Sequence, residues 1–241
     1  MDAALSKYIV RDNDRVLASN YPDVCIFCGT IHQISREHVI PKWVYENNPE
    51  KFFTTKINGI NQTYNRTTVP VCVTCNSDLL SGLEGYITKL LLEVNLKTDF
   101  FTIEEIENII RWLEVIDYKF QMLNLKRRFL KSAEGKYTPY LSDFPLLLLR
   151  PGKEYDSPSK VVTAIRRSQK KVTIRSKTPN VSSLVVFETS NKGFHFFHKM
   201  NDFIFLELPK HKTALFYFFD KTFANPKQAF RAASRIIDKV Y

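Results

Sequence analysis

Cys25-Ile-Phe-Cys28-Gly29, Arg36-Glu37-His38-Val39-Ile40-Pro41-Lys42-Trp43 and Val71-Cys72-Val73-Thr74-Cys75-Asn76 are three passages of one stretch, and their spacing decides how the chain is read. Two Cys-x-x-Cys pairs bracket a Glu-His dipeptide, and an asparagine follows the last thiol. All four cysteines of the protein lie here. Each pair can bring two thiolates to one metal, and two pairs complete a tetrahedral zinc site. A closed four-thiolate site leaves no position for a substrate. The spacing therefore assigns Cys25, Cys28, Cys72 and Cys75 to structural zinc. It leaves the chemistry to Glu37, His38 and Asn76, which the zinc would draw together.

In this order, Cys-x-x-Cys, Glu-His-x-x-Pro and Cys-x-x-Cys-Asn resemble the HNH endonucleases, the ββα-metal nucleases of treble-clef type. Within them the chain is most similar to zinc-stabilised members whose first motif reads Glu-His-Val-Ile-Pro-Lys-Trp. The resemblance covers about Val24 to Glu84, roughly a quarter of the chain. It implies hydrolysis of DNA, with Glu37 and Asn76 as ligands of a Mg²⁺ or Mn²⁺ ion and His38 as general base. It also implies an asparagine that orients the base through its ring N–H. Asn65, ahead of the returning strand, takes that place here, with Asn61 as a rival. The analogy extends to a setting in antiphage defence or mobile-element biology. Two departures stand out. Glu37 replaces the aspartate of many members, so its carboxylate reaches one methylene further, and the middle asparagine is not at a clean spacing here. Where some relatives carry a further ligand one helical turn after the first, this chain has Leu80, which cannot bind metal. Glu84 lies a rise of ~12 Å beyond Asn76 at ~1.5 Å per residue, too far to share its ion easily.

The residue types suit this reaction. An imidazole with a pKa near neutrality can take a proton from water. A carboxylate and an amide oxygen suit a hard cation that keeps its waters. Adjacent strand residues point to opposite faces, so Glu37 and His38 serve one site only if the strand bends or ends there, as Pro41 favours. Asn76 has a second reading as the N-cap of the helix it begins. Trp43 reads as a core anchor before a base-stacking platform. A rival function from another class is a non-catalytic treble-clef module binding nucleic acid or protein. A third is a zinc-organised structural subunit of a larger complex.

The 241 residues carry a formal net charge of +10 and 44% hydrophobic content, the composition of a folded chain. That charge favours an anionic partner but suits a ribosome or a membrane surface equally and decides nothing alone. No run approaches the ~18 apolar residues of a membrane span. Paired cysteines without a basic, apolar leader lead us to expect a reducing, cytoplasmic setting. Arg166, Arg167, Lys170, Lys171 and Arg175 cluster around an expected hairpin turn. Such a β-ribbon can track a phosphate backbone, or its basic residues can simply protect an exposed edge.

The chain is expected to be α+β: a treble-clef ββα module over 1–96, then an α+β accessory domain over 97–241. Residues 1–23 read as a lead-in strand or short helix. Strands are expected at Ser35–Ile40 and Thr68–Val71, separated by a loop or loose hairpin, with a helix from Cys72 to about Leu96. Thr102-x-x-Glu105 is a capping box that opens a second helix reaching about Lys131. Seven β-rich runs between Phe144 and Phe219, separated by turn residues, predict a mostly antiparallel sheet. His195 and His198 fall in this region and read as structural or surface residues. Asn225 and Pro226 open a last helix whose buried face is Ala229, Phe230, Ala233, Ile236, Ile237 and Val240.

Overall fold

The computed structural model describes residues 25–28, 30, 32–46, 48, 52–55, 60–94, 100–131, 181–199 and 202–240, leaving aside the side chains of 52–55, 60–62 and 124–131. Residues 1–23, Gly29, the expected strands at 146–149, 161–166 and 172–175, the basic cluster at 166–175 and the boundary at 96/97 lie outside them. The fold is α+β with antiparallel sheets. Its contacts divide it into two compact units. One comprises 1–39, 66–81 and 118–176; the other comprises 40–65, 82–117 and 177–241.

In the first unit β1 (Ile34–His38) pairs antiparallel with β4 (Thr68–Cys72), from Ile34 opposite Cys72 to His38 opposite Thr68. The strand begins one residue before the expected Ser35 and ends two before the expected Ile40, and the chain turns before Pro41. Cys72 ends β4 rather than starting the helix. A seven-residue π-helix follows over Cys75–Ser81 and leads into α2 (Gly82–Glu93). Tyr86, on the expected apolar stripe of this helix, is exposed.

Helix α3 (Ile103–Lys131) lends its first half to the second unit and its second half to the first. It opens as expected: the Thr102 N–H donates to Glu105 Oε2 at 2.6 Å, and the Glu105 N–H donates to Thr102 Oγ1 at 3.3 Å. These reciprocal bonds satisfy donors that a helix end leaves without partners.

The second unit includes a short helix α1 (Lys42–Tyr45) and a hairpin of β2 (Phe52–Thr55) and β3 (Ile60–Thr63). Its main sheet contains β5 (Leu184–Glu188), β6 (Phe196–Lys199), β7 (Phe203–Leu208) and β8 (Thr213–Phe218) in the order β5-β8-β7-β6, every pair antiparallel. Phe205, Phe216 and Phe218 build its core with Ala229 and Ala233 of α4 (Pro226–Val240). The two alanines let helix and sheet approach closely. Asn225 caps α4, accepting the Gln228 N–H at 3.1 Å. Phe230 and Val240, expected on the buried face, are about half exposed. The helical period marks a face but not its width. Trp43, the expected anchor, stacks on Trp112 at 5.6 Å between ring centroids.

Candidate functional site

Three local devices assemble the cysteines. The first Cys-x-x-Cys forms a turn in which the Cys25 N–H donates to the Thr30 carbonyl at 2.9 Å. The Ile26 N–H donates to the Pro70 carbonyl at 3.0 Å, fastening this turn to β4. At the other end the Val73 N–H donates to the carbonyl of Gln33, a residue held at a left-handed φ of 51°. The second pair therefore lies at the open end of the β1–β4 hairpin.

The four sulfur atoms lie within 4.8 Å of one another. Those of Cys28 and Cys72 are 3.6 Å apart, and no disulfide joins any of the four. A tetrahedral zinc with bonds of ~2.3 Å separates its sulfurs by ~3.8 Å, so the set has the size and donor chemistry of a metal centre. The Cys75 N–H points at Cys72 Sγ from 3.4 Å, a polarity that favours thiolate. Burial pushes the Cys72 thiol up, but the Cys75 N–H and the neighbouring thiols outweigh it and hold the group below its ordinary range. Burial and the nearby Cys25 push the Cys28 thiol up to about 11 and raise Cys75 further. Metal entry would displace these protons. The four cysteines could hold a metal ion.

Glu37 and His38 are the last two residues of β1. They are still paired with β4, Glu37 opposite Val69 and His38 opposite Thr68, and the strand ends directly after them. Both are partly buried. Asn76 is the second residue of the π-helix, directly after the last thiol. It stands inside a helical segment, and its side chain makes no hydrogen bond among the described residues, so it caps nothing. Its amide oxygen could serve as a metal ligand. These three residues and the four cysteines belong to one compact unit. Asn65 is exposed in a 3₁₀ turn, Tyr64–Arg66, and belongs to the other unit. Asn61 lies in β3.

The structure adds a residue that sequence reasoning missed. Lys119, on α3, is fully buried; its ammonium meets Glu37 Oε1 at 2.7 Å and donates to the His38 carbonyl at 3.0 Å. Its neighbour Tyr118 donates its hydroxyl to the Ile26 carbonyl and packs its ring 5.4 Å from Phe27. Burial raises the Tyr118 phenol well above its ordinary range, keeping it a donor. Consecutive residues of α3 thus grip the first cysteine turn and the end of β1. A lysine and an aspartate inside the apolar run Val115-Ile-Asp-Tyr-Lys-Phe120 were the available signal, because a lysine is almost never fully buried unless paired.

Among the described residues the second unit has a further polar cluster. Glu207, buried in β7, accepts from Asn191 Nδ2 at 2.9 Å and from the Thr189 hydroxyl, and pairs with His195 Nδ1 at 2.5 Å. His195 is thus structural, as expected, through a specific hydrogen bond with Glu207. Burial lowers His198 to about 4.

A hairpin-mounted four-thiol centre with a strand-end Glu-His pair is the class of site this chain presents. No family model, no curated protein and no solved structure matches the chain. No helix among the described residues is long and apolar enough to cross a membrane.

Proposed function

We propose that the protein is a metal-dependent HNH-type endonuclease in which the four cysteines bind zinc and Glu37, His38 and Asn76 serve hydrolysis of DNA. The observation that supports this reading is the composition of the first unit. It holds the four-thiol cluster, the Glu-His pair at the end of β1, and an asparagine after Cys75 whose side chain makes no hydrogen bond among the described residues. Glu37 and Asn76 supply the oxygen donors for Mg²⁺ or Mn²⁺, with Lys119 fixing one Glu37 oxygen and leaving the other for the ion. When bound, such an ion neutralises phosphate charge and stabilises the leaving 3′ oxygen. His38 takes the proton of the attacking water at an imidazole nitrogen. The bond from Lys119 to the His38 carbonyl holds the backbone that carries this base.

The Lys119–Glu37 pair also supports a second reading. A carboxylate already matched by a buried ammonium needs no cation, as in a non-catalytic zinc module that binds nucleic acid or protein. A plasmid-nicking assay with Mg²⁺ or Mn²⁺, run against chelator and beside His38→Ala, separates the two. The nuclease reading expects cleavage that His38→Ala lowers by ~10²–10⁴, with zinc content and melting temperature retained. Zinc-loaded wild type that cleaves neither DNA nor RNA favours the binding module. Cleavage unaltered in His38→Ala assigns the activity to a contaminant or another site.

A further inference from the structure

The second unit contains a cleft of about 680 Å³, within the roughly 300–1,000 Å³ of small-molecule sites. Helix α1, the β5–β6 connection and the β7–β8 turn wall it. Three ammonium groups line it, those of Lys192, Lys210 and Lys212, against the single carboxylate of Glu188. The three lysines are exposed, and none has an ion-pair partner among the described residues. Like charges gathered around one concavity without acids to match focus a positive field into it.

The cleft is scaffolded from beneath. Glu207 fixes Thr189, Asn191 and His195 of the β5–β6 connection. The buried Asn48 side chain accepts the Phe194 N–H at 3.3 Å and donates to the Phe194 carbonyl at 3.5 Å. A connection between two strands does not need two buried polar side chains merely to join them. Here they hold the segment that brings Thr189, Asn191 and Lys192 to the cleft in one geometry, the preorganisation that a binding site requires. The remaining wall is apolar: Val44, Phe194, Pro209 and Trp43, the last held by its stack on Trp112.

We infer that this cleft binds a phosphate ester with a flat apolar body, which is the chemistry of a nucleotide, free or within a strand. Three lysines against one glutamate match a doubly charged phosphate. Hydroxyl and amide groups can orient it, and the apolar wall takes the ring. The inference uses no residue of the four-cysteine unit and stands apart from the nuclease reading.

The chain's two tryptophans are Trp43 and Trp112, so occupation of the cleft is read as a change in intrinsic fluorescence. Zinc-loaded full-length protein, with no Mg²⁺ or Mn²⁺ added, is titrated with adenosine triphosphate, with a short labelled oligothymidylate, and with inorganic phosphate. At least one of the first two should bind and shift the emission. The triple variant Lys192→Gln, Lys210→Gln, Lys212→Gln should bind at least about tenfold more weakly and lose part of the salt dependence. A control with the same charge change, Lys89→Gln, Lys227→Gln, Lys239→Gln, should stay within about twofold of wild type if charge acts locally. Triphosphate binding identifies a free nucleotide; binding of the oligonucleotide alone identifies a strand. The inference is overturned if neither probe binds at millimolar concentration. It is equally overturned if both triple variants weaken binding alike, or if inorganic phosphate binds as well as either probe.

Discussion

Lys119 bears the largest electrostatic demand of any described side chain in the first unit. Its ammonium is cut off from water, and Glu37 and the His38 carbonyl replace part of its hydration. Removing one partner of a buried pair leaves the other charge stranded, whereas replacing both by apolar groups is often tolerated. Lys119→Met should therefore lower stability by about 3 kcal/mol, and adding Glu37→Leu should recover part of that loss. Urea denaturation of the two variants measures both quantities. A double variant no more stable than the single would show that the His38 carbonyl, not the carboxylate, is what Lys119 chiefly serves. The apolar run around Lys119 signalled that it is buried and paired, but not with what, because the partners stand 82 positions apart and only the folded helix brings them together. The pairing of His195 with Glu207 spans only 12 positions, but it too depends on how the strands fold back on one another. By contrast, the four thiols were legible because each Cys-x-x-Cys is a local device and four cysteines admit one closed set.

At the scale of elements, signals written in adjacent residues were realised. Thr102 with Glu105, and Asn225 with Pro226, set their helix starts through hydrogen bonds spanning three residues. The last four β-rich runs became β5 to β8, one at its expected bounds and three with ends moved by one or two residues. What local pattern could not give was the π-helix at Cys75–Ser81, since a change of hydrogen-bonding step leaves no mark on apolar period. Strand β6 makes a prediction of its own. It stands at one edge of the sheet among the described strands, and His198 within it packs its ring 5.2 Å from Phe196. Burial depresses this histidine from 6.5 to about 4. The unfolded chain therefore takes up the proton first as pH falls. Stability should decline between pH 6.5 and about 4, by at most ~1.4 kcal/mol per unit from this one group, and level off below. Denaturation midpoints across that window, compared with His198→Phe, isolate the contribution. A variant with the same slope as wild type would place the pH dependence elsewhere.

For the whole molecule the question is what depends on the metal. Purified protein should carry one equivalent of zinc by elemental analysis. A structural zinc contributes ~10–16 kcal/mol in small finger peptides, more than the β1–β4 pair and its turns can supply alone. Chelation, or Cys72→Ser, should therefore unfold the first unit while the aromatic sheet of the second, whose core is Phe205, Phe216 and Phe218 with two alanines of α4, remains folded. Far-ultraviolet dichroism and limited proteolysis would show a partial loss of structure. A single cooperative collapse of the entire chain would show instead that α3, which enters both units, couples them.

The closeness of the Cys28 and Cys72 sulfurs has a practical consequence for handling the protein. Thiols that sit a few ångströms apart need only an oxidant and a small movement to cross-link, and Cys72, whose thiol is held below its ordinary range, is the natural attacker. A metal occupying the cluster shields all four from that fate. Stripped of metal in air, the protein would age toward a covalent form in which the wrong sulfurs are tied, refractory to later zinc. Storage under reductant, with zinc restored before oxygen is admitted, is then a condition for any activity measurement to mean what it says.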